Sequence, residues 1–136
     1  MGDTPEILFL CVHNAGRSQM AAALARRLGG ERVRVRTAGS APGECLHPVV
    51  VAAMHEIGVD LGSHVPRMLT DDDLRAADVV VTMGCGETCP VVPGKAYRDW
   101  DVPDPKDLPI EDVRAIRDQI HRKVSLLLAE FGIRAD

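Results

Sequence analysis

Glu6-Ile7-Leu8-Phe9-Leu10-Cys11-Val12-His13-Asn14-Ala15-Gly16-Arg17-Ser18, near the start of a 136-residue chain, decides how the remainder is read. Ile7 to Leu10 are apolar without alternation, the pattern of a strand buried on both faces, as in a parallel sheet covered by helices. From Ser18 to Leu28 the composition turns to Ala, Leu, Met and Arg, all good helix formers, and Gly29-Gly30 supplies a stop. The order is strand, loop, helix, with a thiol where the strand ends and an arginine where the helix begins.

The same alternation of strands and helices continues outward from this unit. Arg32-Val-Arg-Val-Arg-Thr37 has period two and predicts a strand with one wet face, followed by a Gly/Ser/Pro loop. His47-Pro48 opens a second helix through Ile57, with Gly58 ending it. Thr70-Asp-Asp-Asp73 resembles a capping box at the start of a short helix, and Asp78-Val-Val-Val-Thr82 predicts another buried strand. Lys95 to Trp100 suits a short edge strand. Val113, Ile116, Ile120, Val124, Leu127 and Phe131 recur at three- and four-residue spacing, one apolar stripe on a long C-terminal helix. The expected architecture is an α/β open parallel four-stranded sheet with helices on both faces, in a single domain spanning 1–136. Ligands of such sheets bind beyond the carboxyl ends of the strands, so the loops after Leu10, Thr37, Thr82 and Trp100 share one rim.

Composition narrows the function classes. With 46% hydrophobic and 26% charged residues the chain has the make-up of a globular protein, and no apolar run approaches a membrane span. The acidic start of the chain and the short apolar run after it do not suit a secretory signal, so a cytoplasmic location with reduced cysteines is expected. A net charge of −4 and only 3% aromatics argue against nucleic-acid binding by stacking. His13, His47, His55, His64 and His121 show no metal-ligand spacing, and neither a metal nor another cofactor is expected.

The loop Cys11, Val12, His13, Asn14, Ala15, Gly16, Arg17 has a physical purpose when set before a helix. A helix N-terminus offers unpaired amides and a positive partial charge, so the loop can wrap a tetrahedral oxyanion while Arg17 grips two of its oxygens. The same field favours the thiolate, which makes Cys11 a nucleophile, and Ser18 can donate a hydrogen bond to its sulfur. Asn14 and Gly16 are residue types that accept unusual backbone angles. The plain alternative is a buried Cys11 ending a strand and a solvated Arg17 on a helix.

Cys-x5-Arg-Ser after a first strand resembles the low-molecular-weight protein tyrosine phosphatase fold. Within that fold, Arg17-Ser18-Gln19-Met20-Ala21 resembles the arsenate reductases, because phosphatases usually have Pro after the Ser. The likeness extends through Thr37-Ala-Gly-Ser40, Gly58-Val-Asp60, Val80-Val81-Thr82-Met83, Cys89-Pro90, Trp100 and Asp104-Pro105. Lys106-Asp107 stands where phosphatases of this fold tend to carry aromatics. The resemblance implies arsenate as substrate and Asp104 as the acid that protonates a departing oxygen, with Asp99 and Asp101 as the alternatives. Ala22 stands where some arsenate reductases carry a glutamate beside potassium.

Cys85-Gly-Glu-Thr-Cys89 lies in a glycine-rich loop on the predicted active rim, at a spacing compatible with a disulfide across one helical turn. Reducing arsenate takes two electrons, which thiols supply by forming a disulfide. By resemblance to thioredoxin-coupled arsenate reductases, Cys11 attacks arsenate, Cys85 attacks the Cys11 sulfur and expels arsenite, and Cys89 then attacks Cys85. Thioredoxin or an equivalent reductant would reopen the Cys85 to Cys89 disulfide. Four alternatives stay open at this point. One is zinc held by Cys45, His47, Cys85 and Cys89, and another is a single-cysteine reductase drawing on mycothiol or glutathione. The others are a phosphatase of the same fold and a non-enzymatic arsenite or redox sensor. Cys45 receives no role.

Overall fold

The computed structural model describes residues 4–84 and 95–133. In chain order the elements are β1 (Glu6–Cys11), α1 (Arg17–Gly29), a 3-10 turn at Gly30–Arg32, β2 (Arg34–Gly39), α2 (Pro48–His55), α3 (Asp71–Ala76), β3 (Val79–Thr82), β4 (Ala96–Asp99) and α4 (Ile110–Glu130). The four strands form one sheet in the order β2-β1-β3-β4, and every neighbouring pair is parallel. The expected sheet, with helices on both faces, is the observed one.

Strand β1 lies inside the sheet and Ile7 to Leu10 are fully buried, as the uninterrupted apolar run requires. Its odd residues, Ile7, Phe9 and Cys11, pack in a large core with residues of α1, α2 and α4, including Met20, Leu24, Met54, Ile120 and Leu128. Its even residues, Leu8 and Leu10, pack on the opposite face with Leu74 of α3, Ala77 and Val80. Among the described residues no helix is long and apolar enough to cross a membrane.

Three local expectations need correction. The second strand begins at Arg34 rather than Arg32, because the Arg32 guanidinium donates to the carbonyls of Leu28 and Gly29 and so closes the end of α1. It runs on to Gly39 because Ala38 and Gly39 pair with Leu10 and Cys11. Helix α2 ends at His55, and the chain turns through Glu56 to Gly58, where φ is +82°. Phe131 is not part of the apolar stripe: α4 stops at Glu130, Phe131 is 36% exposed, and Leu128 and Ile133 fill the core instead.

From β1 the chain crosses to β2 on one side, while β3 lies on the other. This switch of direction leaves a crevice at the carboxyl end of β1, where the loop 11–17 stands.

Candidate active site

The loop is shaped by a second strip of backbone. Amides of Ser40, Ala41, Gly43 and His47 donate to the carbonyls of Cys11, Val12, His13 and Ala15 at 3.3, 2.8, 2.9 and 3.0 Å. Those carbonyls are thereby turned toward the 40–47 segment, away from the loop interior. Among the described residues no side chain caps the N-terminus of α1, which leaves its first-turn amides at the end of the loop.

Asn14 takes φ +51°, the left-handed conformation foreseen for it. Gly16 is also unusual, at φ −146° and ψ −86°, outside the helix and strand regions. The requirement at Gly16 is space, since a β-carbon there would stand 2.9 Å from Cγ of Pro105 and 3.2 Å from Cδ2 of His47.

Cys11 is 3% exposed and lies at the foot of the loop. Its Sγ is 2.9 Å from Ser18 Oγ, and the backbone amide of Asn14 donates to it at 3.3 Å. Behind Ser18 stands the fully buried Asn14, whose Nδ2 donates to Ser18 Oγ at 2.7 Å and to Thr37 Oγ1 at 2.8 Å. Thr37 in turn donates to the Phe9 carbonyl at 3.2 Å. Sequence reasoning placed Cys11, Asn14, Arg17 and Ser18 together, and the structure brings them together.

Arg17 lies at the mouth. Its Nη1 donates to the Val102 carbonyl at 3.1 Å, and its Nη2 stands 3.7 Å from Asp104 Oδ2. Among the described residues Asp104 is the acidic side chain that meets Arg17, whereas Asp99 accepts from Thr82 Oγ1 at 2.9 Å on the edge of the sheet. Gly84 approaches the same guanidinium with φ +74°, and a β-carbon on it would lie 2.2 Å from Arg17 Nη1. The chain therefore passes directly over Arg17 just before Cys85. Cys85 and Cys89 themselves lie outside the described residues. Cys45 is exposed on the 40–47 segment. Among the described residues no group of three or more His, Cys, Asp or Glu could hold a metal ion.

Two partnerships were not visible in the sequence. Gln19 is buried beside Asn14. Arg67 donates from its backbone amide to Asn14 Oδ1 at 3.0 Å and from Nη1 to the Thr37 carbonyl at 2.7 Å. Its Nη2 is held by both oxygens of Asp73 at 2.9 Å. Asp73 also accepts from the Thr70 amide, completing the expected capping box of α3. Burial pushes the Asp73 carboxyl up, but the Thr70 amide, Arg67, the Thr70 hydroxyl and Arg36 together outweigh it and hold the group below its ordinary value. A carboxyl depressed in the folded protein stabilises it above the unfolded value near 4 and loses that contribution as pH falls through the folded value. Asp73→Asn should therefore cost about 2 kcal/mol at neutral pH in urea unfolding, with the gap to wild type closing under acid conditions.

Residues 6–134 match the low molecular weight phosphotyrosine protein phosphatase family. A Halobacterium salinarum protein assigned by inference as an arsenate reductase is 40% identical over 134 residues, covering 95% of this chain and 94% of that one. The glutaredoxin arsenate reductase of Synechocystis is 30% identical, covering 93% of this chain and 98% of its own length. The solved structure of a thioredoxin-dependent arsenate reductase from Corynebacterium glutamicum superposes with TM-score 0.84 at 41% identity. It covers 96% of this chain, which spans 63% of that longer one.

Proposed function

The chain belongs to the low molecular weight phosphotyrosine protein phosphatase family, among its arsenate reductases, and from that premise we propose that Cys11 attacks arsenate while Cys85 and Cys89 pass the resulting disulfide to thioredoxin. The observation that carries the reading is the placement of Cys11 Sγ, 2.9 Å from Ser18 Oγ at the foot of a loop whose mouth holds Arg17 and Asp104.

In this reaction the loop amides and Arg17 bind the oxyanion, and the Cys11 thiolate forms a sulfur–arsenic bond as one arsenate oxygen leaves as water. Asp104 supplies the proton to that oxygen. Cys85 then attacks the Cys11 sulfur. The sulfur–arsenic electron pair stays on arsenic, which leaves as arsenite, and a Cys11 to Cys85 disulfide remains. Cys89 attacks Cys85, which frees Cys11 and leaves a Cys85 to Cys89 disulfide for thioredoxin to reduce. The approach of Gly84 to Arg17 supports this route, because the residue after Gly84 is Cys85.

Arsenate-dependent NADPH oxidation in the presence of thioredoxin and thioredoxin reductase tests the proposal. Turnover without any small thiol is expected. Turnover only with glutathione and glutaredoxin, or with mycothiol, would replace the relay with a single-cysteine reaction. For Asp104→Asn, rapid-quench single-turnover measurements should show the first chemical step slowed about 100-fold with anion affinity nearly unchanged. An unchanged rate would move the proton donor elsewhere.

A further inference from the structure

The geometry points to Gln19 as a positioning residue that commits the Ser18 hydroxyl proton to the Cys11 sulfur. Gln19 is 2% exposed, and its Nε2 faces three oxygens: the Asn14 carbonyl at 3.2 Å, Asn14 Oδ1 at 3.1 Å and the Val65 carbonyl at 3.3 Å. Its Oε1 has no partner among the described residues. Turning this amide over would set Oε1 against three acceptors, so the donor end faces Asn14.

The direction of the other hydrogen bonds follows from the two donors that Asn14 Oδ1 receives, the Arg67 amide and Gln19 Nε2. Asn14 Oδ1 receives Gln19 Nε2 and the Arg67 amide, so Asn14 Nδ2 must face Ser18 Oγ and Thr37 Oγ1. Thr37 has one hydroxyl proton and spends it on the Phe9 carbonyl, so toward Asn14 it can only accept. Ser18 likewise accepts from Asn14, and among the described residues the neighbour left for its single proton is Cys11 Sγ at 2.9 Å. Negative sulfur accepts such a proton more strongly than a thiol does, which is the sense in which the relay serves the nucleophile. Among the described residues Gln19 Nε2 hydrogen-bonds Asn14 and Val65, and its effect reaches Cys11 through Asn14 and Ser18.

This inference rests on the assignment of Cys11 as nucleophile, and its test is independent of arsenate turnover. The reading is the pH midpoint of Cys11 alkylation by iodoacetamide, followed peptide by peptide in the mass spectrometer, for wild type, Gln19→Met, Gln19→Ala, Ser18→Ala and the doubles with Ser18→Ala. Ser18→Ala should raise the midpoint by about one pH unit, a tenfold loss of thiolate below it. Each Gln19 variant should raise it by roughly half a unit in the wild-type background and add nothing in the Ser18→Ala background. Gln19 variants that leave the midpoint in place, or that raise it equally with and without Ser18, would overturn the proposal while leaving the nucleophile intact. An unmoved Ser18→Ala midpoint would overturn the inference and leave Cys11 as nucleophile, which the Cys11→Ser single-turnover measurement tests separately. Urea unfolding alongside separates these outcomes from lost stability, and the shorter alanine keeps the test open should the methionine disrupt packing.

Discussion

Cys11→Ser protein should bind phosphate and arsenate and reduce none of the latter, with single-turnover arsenite formation falling roughly 10⁴-fold or more. Two properties of serine combine to give so large an effect. Its hydroxyl is not ionised at neutral pH, so the amide of Asn14 and the hydroxyl of Ser18 have no anion to stabilise. Oxygen also cannot enter a disulfide, so even a slow ester with arsenate would have no route for two electrons onto arsenic. Serine is nearly isosteric with cysteine, and urea unfolding should show a stability change of about 1 kcal/mol or less. Appreciable reduction by a folded Cys11→Ser protein would contradict the nucleophile assignment.

Cys85→Ser should match that loss, and Cys89→Ser should differ from it in kind. Without Cys85 no internal thiol attacks the Cys11 sulfur, so arsenite release should fall to background even in the first turnover. Without Cys89 the first release proceeds, giving about one arsenite per chain, and the protein then stalls as a Cys11 to Cys85 disulfide. Peptide mapping of the stalled protein should find that disulfide, whereas wild type held without reductant should accumulate Cys85 to Cys89. Sustained turnover of Cys89→Ser with thioredoxin would remove the relay.

What could be read from sequence and what could not divide along physical lines. The strand β1 and helix α1 were legible because burial on both faces leaves an uninterrupted apolar run, and because good helix formers end at paired glycines. The positions of Cys11 and Arg17 were legible because one falls where the strand ends and the other where the helix begins. Period-two alternation placed the second strand but not its ends, since Arg32 and Arg36 look alike in sequence. Arg32 serves the end of α1, while Arg36 pairs with Glu6, Asp72 and Asp73.

The buried relay was beyond sequence reasoning for a different cause. Asn14 joins Thr37 and Arg67, 23 and 53 residues away, and no periodicity encodes contacts at such separations. Gln19 offered a hint, a long polar side chain followed by Met-Ala-Ala-Ala-Leu on a helix whose buried residues after it are all apolar or Gly. The pairing of Asp104 rather than Asp99 with Arg17 likewise required the fold, because both acids occupy the same stretch of chain and only tertiary placement separates them.

The central claim is that this chain's own thiols supply the electrons that turn arsenate into arsenite, and one stoichiometry tests it most directly. Fully reduced protein is mixed with arsenate in the absence of any other reductant, and released arsenite is counted beside the thiols that remain. The account predicts about one arsenite per chain and the loss of two of the four thiols, leaving Cys11 and Cys45 free. No arsenite release, or release with all four thiols retained, would contradict it.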